Sequence, residues 1–121
     1  VILVDTSVWV DHLRTANPIL VRLLEQGRVL VHPFIVGELA LGNLRDRRMT
    51  LSALEQMPQA VRARDDEVLN FIETSRLHGL GIGYVDAHLL ASARLTADTT
   101  FWTRDKRLSS VSEQLFLAFR H

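Results

Sequence analysis

Val1 to Val4 is an unbroken apolar, β-branched-rich run, the pattern of a short strand covered on both faces of a parallel sheet. Asp5-Thr6-Ser7 ends it and can cap a helix that runs over Val8, Trp9, His12 and Leu13. Asn17-Pro18 starts a second helix, with proline at its first position, and Gly27 stops it after Gln26. Val29 to Val31 reads as a second strand closed by His32-Pro33. Phe34 to Leu44 is helical, Arg45 to Arg48 forms a polar joint, and Thr50 caps a helix ending near Pro58. Ala60 to Ala63 reads as a third strand, and Asp65 or Asp66 opens a helix through about Leu77. A loop carrying Gly79, Gly81 and Gly83 leads into a helix over Tyr84 to Leu95. Thr100 to Thr103 is a fourth strand, Asp105 to Ser109 a short helix, and Leu115 to Ala118 a fifth strand.

Strands alternating with helices predict one α/β domain over residues 1–121 with a mainly parallel sheet. Sites in such sheets lie at the carboxyl ends of the strands. The length suits a single buried core, and no apolar run reaches membrane-spanning length. The chain opens on VILVD without a basic leader, and it has no cysteine, so disulfides, thiolate catalysis and cysteine-held zinc are excluded. A cytoplasmic location is the expectation. Formal net charge is zero, so the domain is not a general magnet for nucleic acid. Its cations are nearly all arginine, which suits bidentate phosphate contacts, although solvated faces account for arginine clusters more simply.

Four acids change the picture. Asp5 ends the first strand, and Asp105 follows the TFWT strand. Glu38 shares a helical face with Phe34, Ile35, Leu41 and Gly42, and Asp86 shares one with Leu89, Leu90 and Ala93. Simpler roles exist for each: a helix cap for Asp5 and Asp105, an ion pair with Arg45 for Glu38, and a first-turn acid on the helix dipole for Asp86. Together, however, unpaired carboxylates in one place would repel, and a hard divalent cation such as Mg²⁺ or Mn²⁺ resolves that conflict. The histidines His12, His32, His78, His88 and His121 show no metal-ligand spacing and read as structural or solvent-exposed.

VDTSVWVD, VGELALGN, GYVDAHLLASA and WTRDKRL, in this order, resemble the PIN domain, and more narrowly the VapC-type toxins of type II toxin–antitoxin pairs. The resemblance spans nearly the whole chain. It implies a three-layer α/β/α fold around a five-stranded sheet. It also implies that Asp5, Glu38, Asp86 and Asp105 hold Mg²⁺ (or Mn²⁺) and serve catalysis, with Thr6 and Thr103 as supporting hydroxyls. Many relatives carry a further acid two positions after the one matched by Asp105; Arg107 stands there instead, which leaves the number of tightly held ions open.

The activity so implied is cleavage of RNA, in tRNA or ribosomal RNA loops, by metal-activated water, giving 5′-phosphate and 3′-hydroxyl ends. Arg45 and Arg104 are candidate backbone contacts. A small VapB-type antitoxin is the implied partner, and a homodimer the implied assembly, with Trp9, Val10, Leu13 or the apolar residues of the helix from Thr50 as interface candidates. Two other classes compete. A PIN-like module could bind RNA or protein without cutting. A haloacid-dehalogenase-like phosphatase or a receiver domain could use Asp5 covalently, but the former wants an acid where Ser7 stands, and the latter an acid pair beside the first strand and a better-placed lysine than Lys106.

Overall fold

The computed structural model describes residues 1–121. Three parallel strands form the sheet: β1 (Ile2–Val4), β2 (Val29–Leu30) and β3 (Thr100–Trp102), in the order β2-β1-β3. Ile2 pairs with Val29 on one side and Thr100 on the other, and Leu3 pairs with Leu30 and Phe101. All three β1 residues are buried although successive side chains point to opposite faces, so both faces of the sheet are covered. Seven helices supply that cover: α1 (Thr6–Arg14), α2 (Pro18–Glu25), α3 (Pro33–Ala40), α4 (Arg47–Gln56), α5 (Asp65–Thr74), α6 (Tyr84–Leu95) and α7 (Lys106–Gln114). The architecture is three-layered, α/β/α.

The expected five strands reduce to three. At 60–63 no strand forms, and the nearest link to the sheet is a single bridge just before it, Val31 with Gln59. The next backbone donors turn away to α6: Val61 N–H bonds Thr96 Oγ1 at 2.8 Å and Ala63 N–H bonds Ser92 Oγ at 3.4 Å. At 115–118 the backbone first closes α7. Phe116 and Leu117 donate back to Glu113 and Ser112, with Phe116 in the left-handed region at φ 58°, and one bridge between Phe101 and Ala118 remains.

The helix after Asp105 runs on to Gln114 rather than stopping at Ser109, and two further helix boundaries differ. α3 ends at Ala40 rather than Leu44, and α4 begins at Arg47, so Thr50 lies inside it and Asp46 occupies the N-cap position. Arg47 explains both, because its guanidinium donates to the carbonyls of Ala40 (2.6 Å) and Gly42 (3.2 Å) and closes the end of α3. Asn17 caps α2 as its sequence position suggests, accepting from Ile19 and Leu20.

The core is apolar and continuous, from Ile2, Leu3 and Val4 through Leu20 and Ile35 to Leu89, Leu90, Phe101 and Leu108. Within it α6 is buried almost all round, from Ala87 to Ala93. His88 is buried there and meets Asp65 through Nε2 at 2.9 Å; His32, fully buried, accepts the Phe34 N–H and so starts α3. Both are structural histidines. No helix is long and apolar enough to cross a membrane.

Candidate active site

The chain leaves β1 to build β2 on one side and returns to β3 on the other, so strand order reverses at β1. Crevices at such switch points, beyond the carboxyl ends of strands, are where open α/β sheets hold ligands. Asp5 follows the last residue of β1, and Thr103 to Asp105 follow the last residue of β3. The two ends are tied together, since Asp5 N–H donates to the Trp102 carbonyl at 2.9 Å.

Asp5 stands at the N-cap position of α1, yet its side chain makes no capping bond. It is instead buried, with 7 % of its surface exposed, and its Oδ2 accepts two hydroxyls: Ser7 Oγ at 2.8 Å and Thr103 Oγ1 at 2.7 Å. A simple capping role therefore fails for Asp5. For Asp105 it holds, because Oδ1 accepts the Leu108 N–H at 2.9 Å and caps α7.

Asp86 lies in the first turn of α6, where Oδ2 accepts the Gly83 N–H at 3.2 Å. Leu89, Leu90 and Ala93 on its face are buried, as the sequence pattern predicts, and they anchor the helix that carries the acid. Burial pushes the Asp86 carboxyl above its ordinary value of 3.8. The Gly83 N–H opposes this, while the charges of Asp5, Asp105 and Glu38 add to it. Those three acids thus bear on Asp86 from β1, α3 and the β3–α7 loop.

Glu38 departs from its expected place on a buried face. It is exposed, and Leu41 is 90 % exposed, because α3 stops before Leu41 and Gly42, two of the four positions used to define that face. Glu38 does not pair with Arg45; Thr6 Oγ1 donates to its Oε1 at 2.7 Å. Both supporting hydroxyls, Thr6 and Thr103, therefore bond carboxylates.

None of the four acids has an arginine, lysine or histidine partner within salt-bridge distance. Nor do three of them close on one point as a ready chelate. All four offer oxygen donors only, and the charges of Asp5, Asp105 and Glu38 act against ionisation of Asp86. That donor chemistry fits a hard divalent cation and suits neither a soft metal nor an anion.

A groove of about 710 Å³ opens beside Glu38, with Arg14 and Arg45 on its wall and Val10 and Leu13 among its apolar lining. Arg104 points elsewhere: its Nε pairs with Asp11 at 2.9 Å, which ties the Asp105 loop to α1. Of the interface candidates Trp9 is in the core at 4 % exposure and Leu54, beyond Thr50, is buried as well, whereas Val10 and Leu13 are on the surface.

Residues 2–114 match the PIN domain family. The chain belongs to that family. Relatives in two strains of Mycobacterium tuberculosis, each named ribonuclease VapC32, are 46% identical to it over 109 residues. The matched stretch covers 90% of this chain and 88% of each relative. Two side chains of this PIN domain escape sequence reasoning. Arg14 looks like an ordinary basic residue near a helix end. Ser7 looks like one more small polar residue in a first helical turn, and nothing local announces its bond to Asp5.

Proposed function

We propose that this PIN domain is a divalent-metal-dependent endoribonuclease and the toxin of a type II toxin–antitoxin pair. What supports the reading is that Asp5, Glu38 and Asp105 act electrostatically on Asp86 and that none of the four acids is ion-paired. The relatives named ribonuclease VapC32 supply the class of reaction.

Asp5, Glu38 and Asp86 hold Mg²⁺, or Mn²⁺ in its place, and Asp105 contributes a further oxygen. When bound, such an ion supplies an activated water and offsets charge on the phosphate and the leaving oxygen. The protein's own part is positioning. Ser7 and Thr103 restrain Asp5, Thr6 restrains Glu38, and the Gly83 N–H restrains Asp86. The acids by themselves would repel a phosphodiester, so RNA reaches the centre only when their charge is offset. Arg45 in the adjoining groove holds the backbone of the incoming strand. Asp5 is a ligand here and not a covalent nucleophile.

The RNA is a structured one whose loop leaves backbone and bases accessible, of the tRNA or ribosomal RNA kind. A VapB-type antitoxin restrains the enzyme, the toxin works in the cytoplasm by stopping translation, and two copies form a homodimer. Incubating the purified protein with structured RNAs tests the core of this reading. Cleavage is expected with Mg²⁺ or Mn²⁺, none with EDTA, and recovery on adding metal back. Persistent inactivity across metals and RNAs would favour a PIN-like binding module that does not cut.

A further inference from the structure

Ser7 belongs to a closed set of bonds that joins two stretches of the chain, residues 5–7 and 103–105. Its Oγ lies 2.8 Å from Asp5 Oδ2 and 3.0 Å from the Arg104 backbone nitrogen. Thr103 Oγ1 repeats the arrangement, 2.7 Å from the same Oδ2 and 3.1 Å from the Asp105 nitrogen. The two backbone N–H groups can only donate, so each hydroxyl accepts one of them and has a single proton left. A carboxylate accepts, and both protons go to Asp5 Oδ2. The 3.3 Å approach between the hydroxyls is then a contact without a proton to share.

Asp5 is therefore asymmetric. Oδ2 is occupied by two donors, while Oδ1 has no bond within the protein and is not sealed from solvent. The same bonds hold the loop that carries Asp105. Four residues further along α1, on the face of Ser7, Asp11 grips the Arg104 side chain of that loop at 2.9 Å. One face of α1 thus fixes the loop through both its backbone and its side chain.

We infer that Ser7 is a positioning residue: with Thr103 it presents Asp5 Oδ1 alone towards a divalent cation, and it sets Asp105 beside it. The inference rests on the ribonuclease reading above. It makes Asp5 a one-oxygen ligand, with its second oxygen held back by the protein.

Calorimetric titration of Mn²⁺ into Ser7→Ala and Ser7→Thr, beside RNA cleavage kinetics and thermal melting, tests it. Ser7→Ala is expected to lose about 10-fold in Mn²⁺ affinity and a similar factor in kcat, the usual scale for groups that orient metal ligands. Its KM for RNA should stay at the wild-type value, since Ser7 does not face the groove. Ser7→Thr keeps the hydroxyl and should recover most of both losses. Combining Ser7→Ala with Thr103→Ala should cost less than the product of the separate losses, because the two share one acceptor.

Wild-type Mn²⁺ affinity and kcat in Ser7→Ala would overturn the inference. So would a lowered melting temperature with metal affinity and kcat intact, which marks a purely structural serine. A wild-type protein that binds no Mn²⁺ and cuts no RNA would overturn the ribonuclease reading and this inference together. One that binds and cuts while Ser7→Ala behaves identically would overturn the inference alone.

Discussion

Two side chains with displaced titrations pull stability in opposite directions along the pH axis. Asp86 is held above 3.8 in the folded chain, mainly by burial, so it ionises more reluctantly folded than unfolded. Without metal its contribution is undiminished below about pH 3.8 and turns unfavourable as pH rises through the folded value. Asp86→Asn removes that penalty and can still accept the Gly83 N–H. Urea denaturation in EDTA should find the variant more stable than wild type at neutral pH, with the advantage gone in acid. Calorimetry should find its metal binding weakened. His32 behaves conversely. Burial first, then His88 and Arg62, lower it from 6.5 to about 4, so the folded chain keeps it neutral where the unfolded chain is protonated. Its stabilisation is complete above pH 6.5 and is lost as pH falls towards 4. The loss is up to about 3 kcal/mol at 1.36 kcal/mol per pK unit. Asn at this position can still accept the Phe34 N–H and does not titrate, so the stability of His32→Asn should stay flatter than wild type across that interval.

α6 shows the link between packing and aim. Leu89 and Leu90 are fully buried beneath the turn that presents Asp86. Leu90→Ala should cost roughly 2–5 kcal/mol, read as a lower urea midpoint with unchanged slope. This helix was legible in the sequence because its apolar face, entry glycine and first-turn acid agree locally. β1 and β3 were legible for a similar reason, as short apolar runs ending on polar residues. The segments at 60–63 and 115–118 were not. Their strand-like composition is real, but their backbone donors are taken by Ser92 and Thr96 on α6 and by the last turn of α7. Those are tertiary competitors that no local pattern displays. The limit at the site is of the same kind. Periodicity indicated the inward aim of Asp86, whereas the buried face assumed for Glu38 continued a helix that Arg47 ends at Ala40.

Zero net charge constrains the whole molecule. In the ribonuclease reading, RNA affinity comes from local arginines rather than from a net positive charge. Arg45 lines the groove beside Glu38, whereas Arg104 is held by Asp11. Arg45→Ala should weaken binding across RNA sequences alike and lower the slope of log affinity against log salt by about 0.7, the share of one single-strand phosphate contact. In the proposed metal-dependent cutting centre, Asp5 at the end of β1 is the most restrained of the four acids. Asn at that position preserves shape and hydroxyl contacts while removing the charge. RNA ends are therefore to be sequenced after brief induction of wild type and of a folded Asp5→Asn variant. Discrete new 5′-phosphate ends in the wild type, absent from Asp5→Asn, are the predicted result. The same ends at the same abundance in Asp5→Asn would remove Asp5 from the cutting centre.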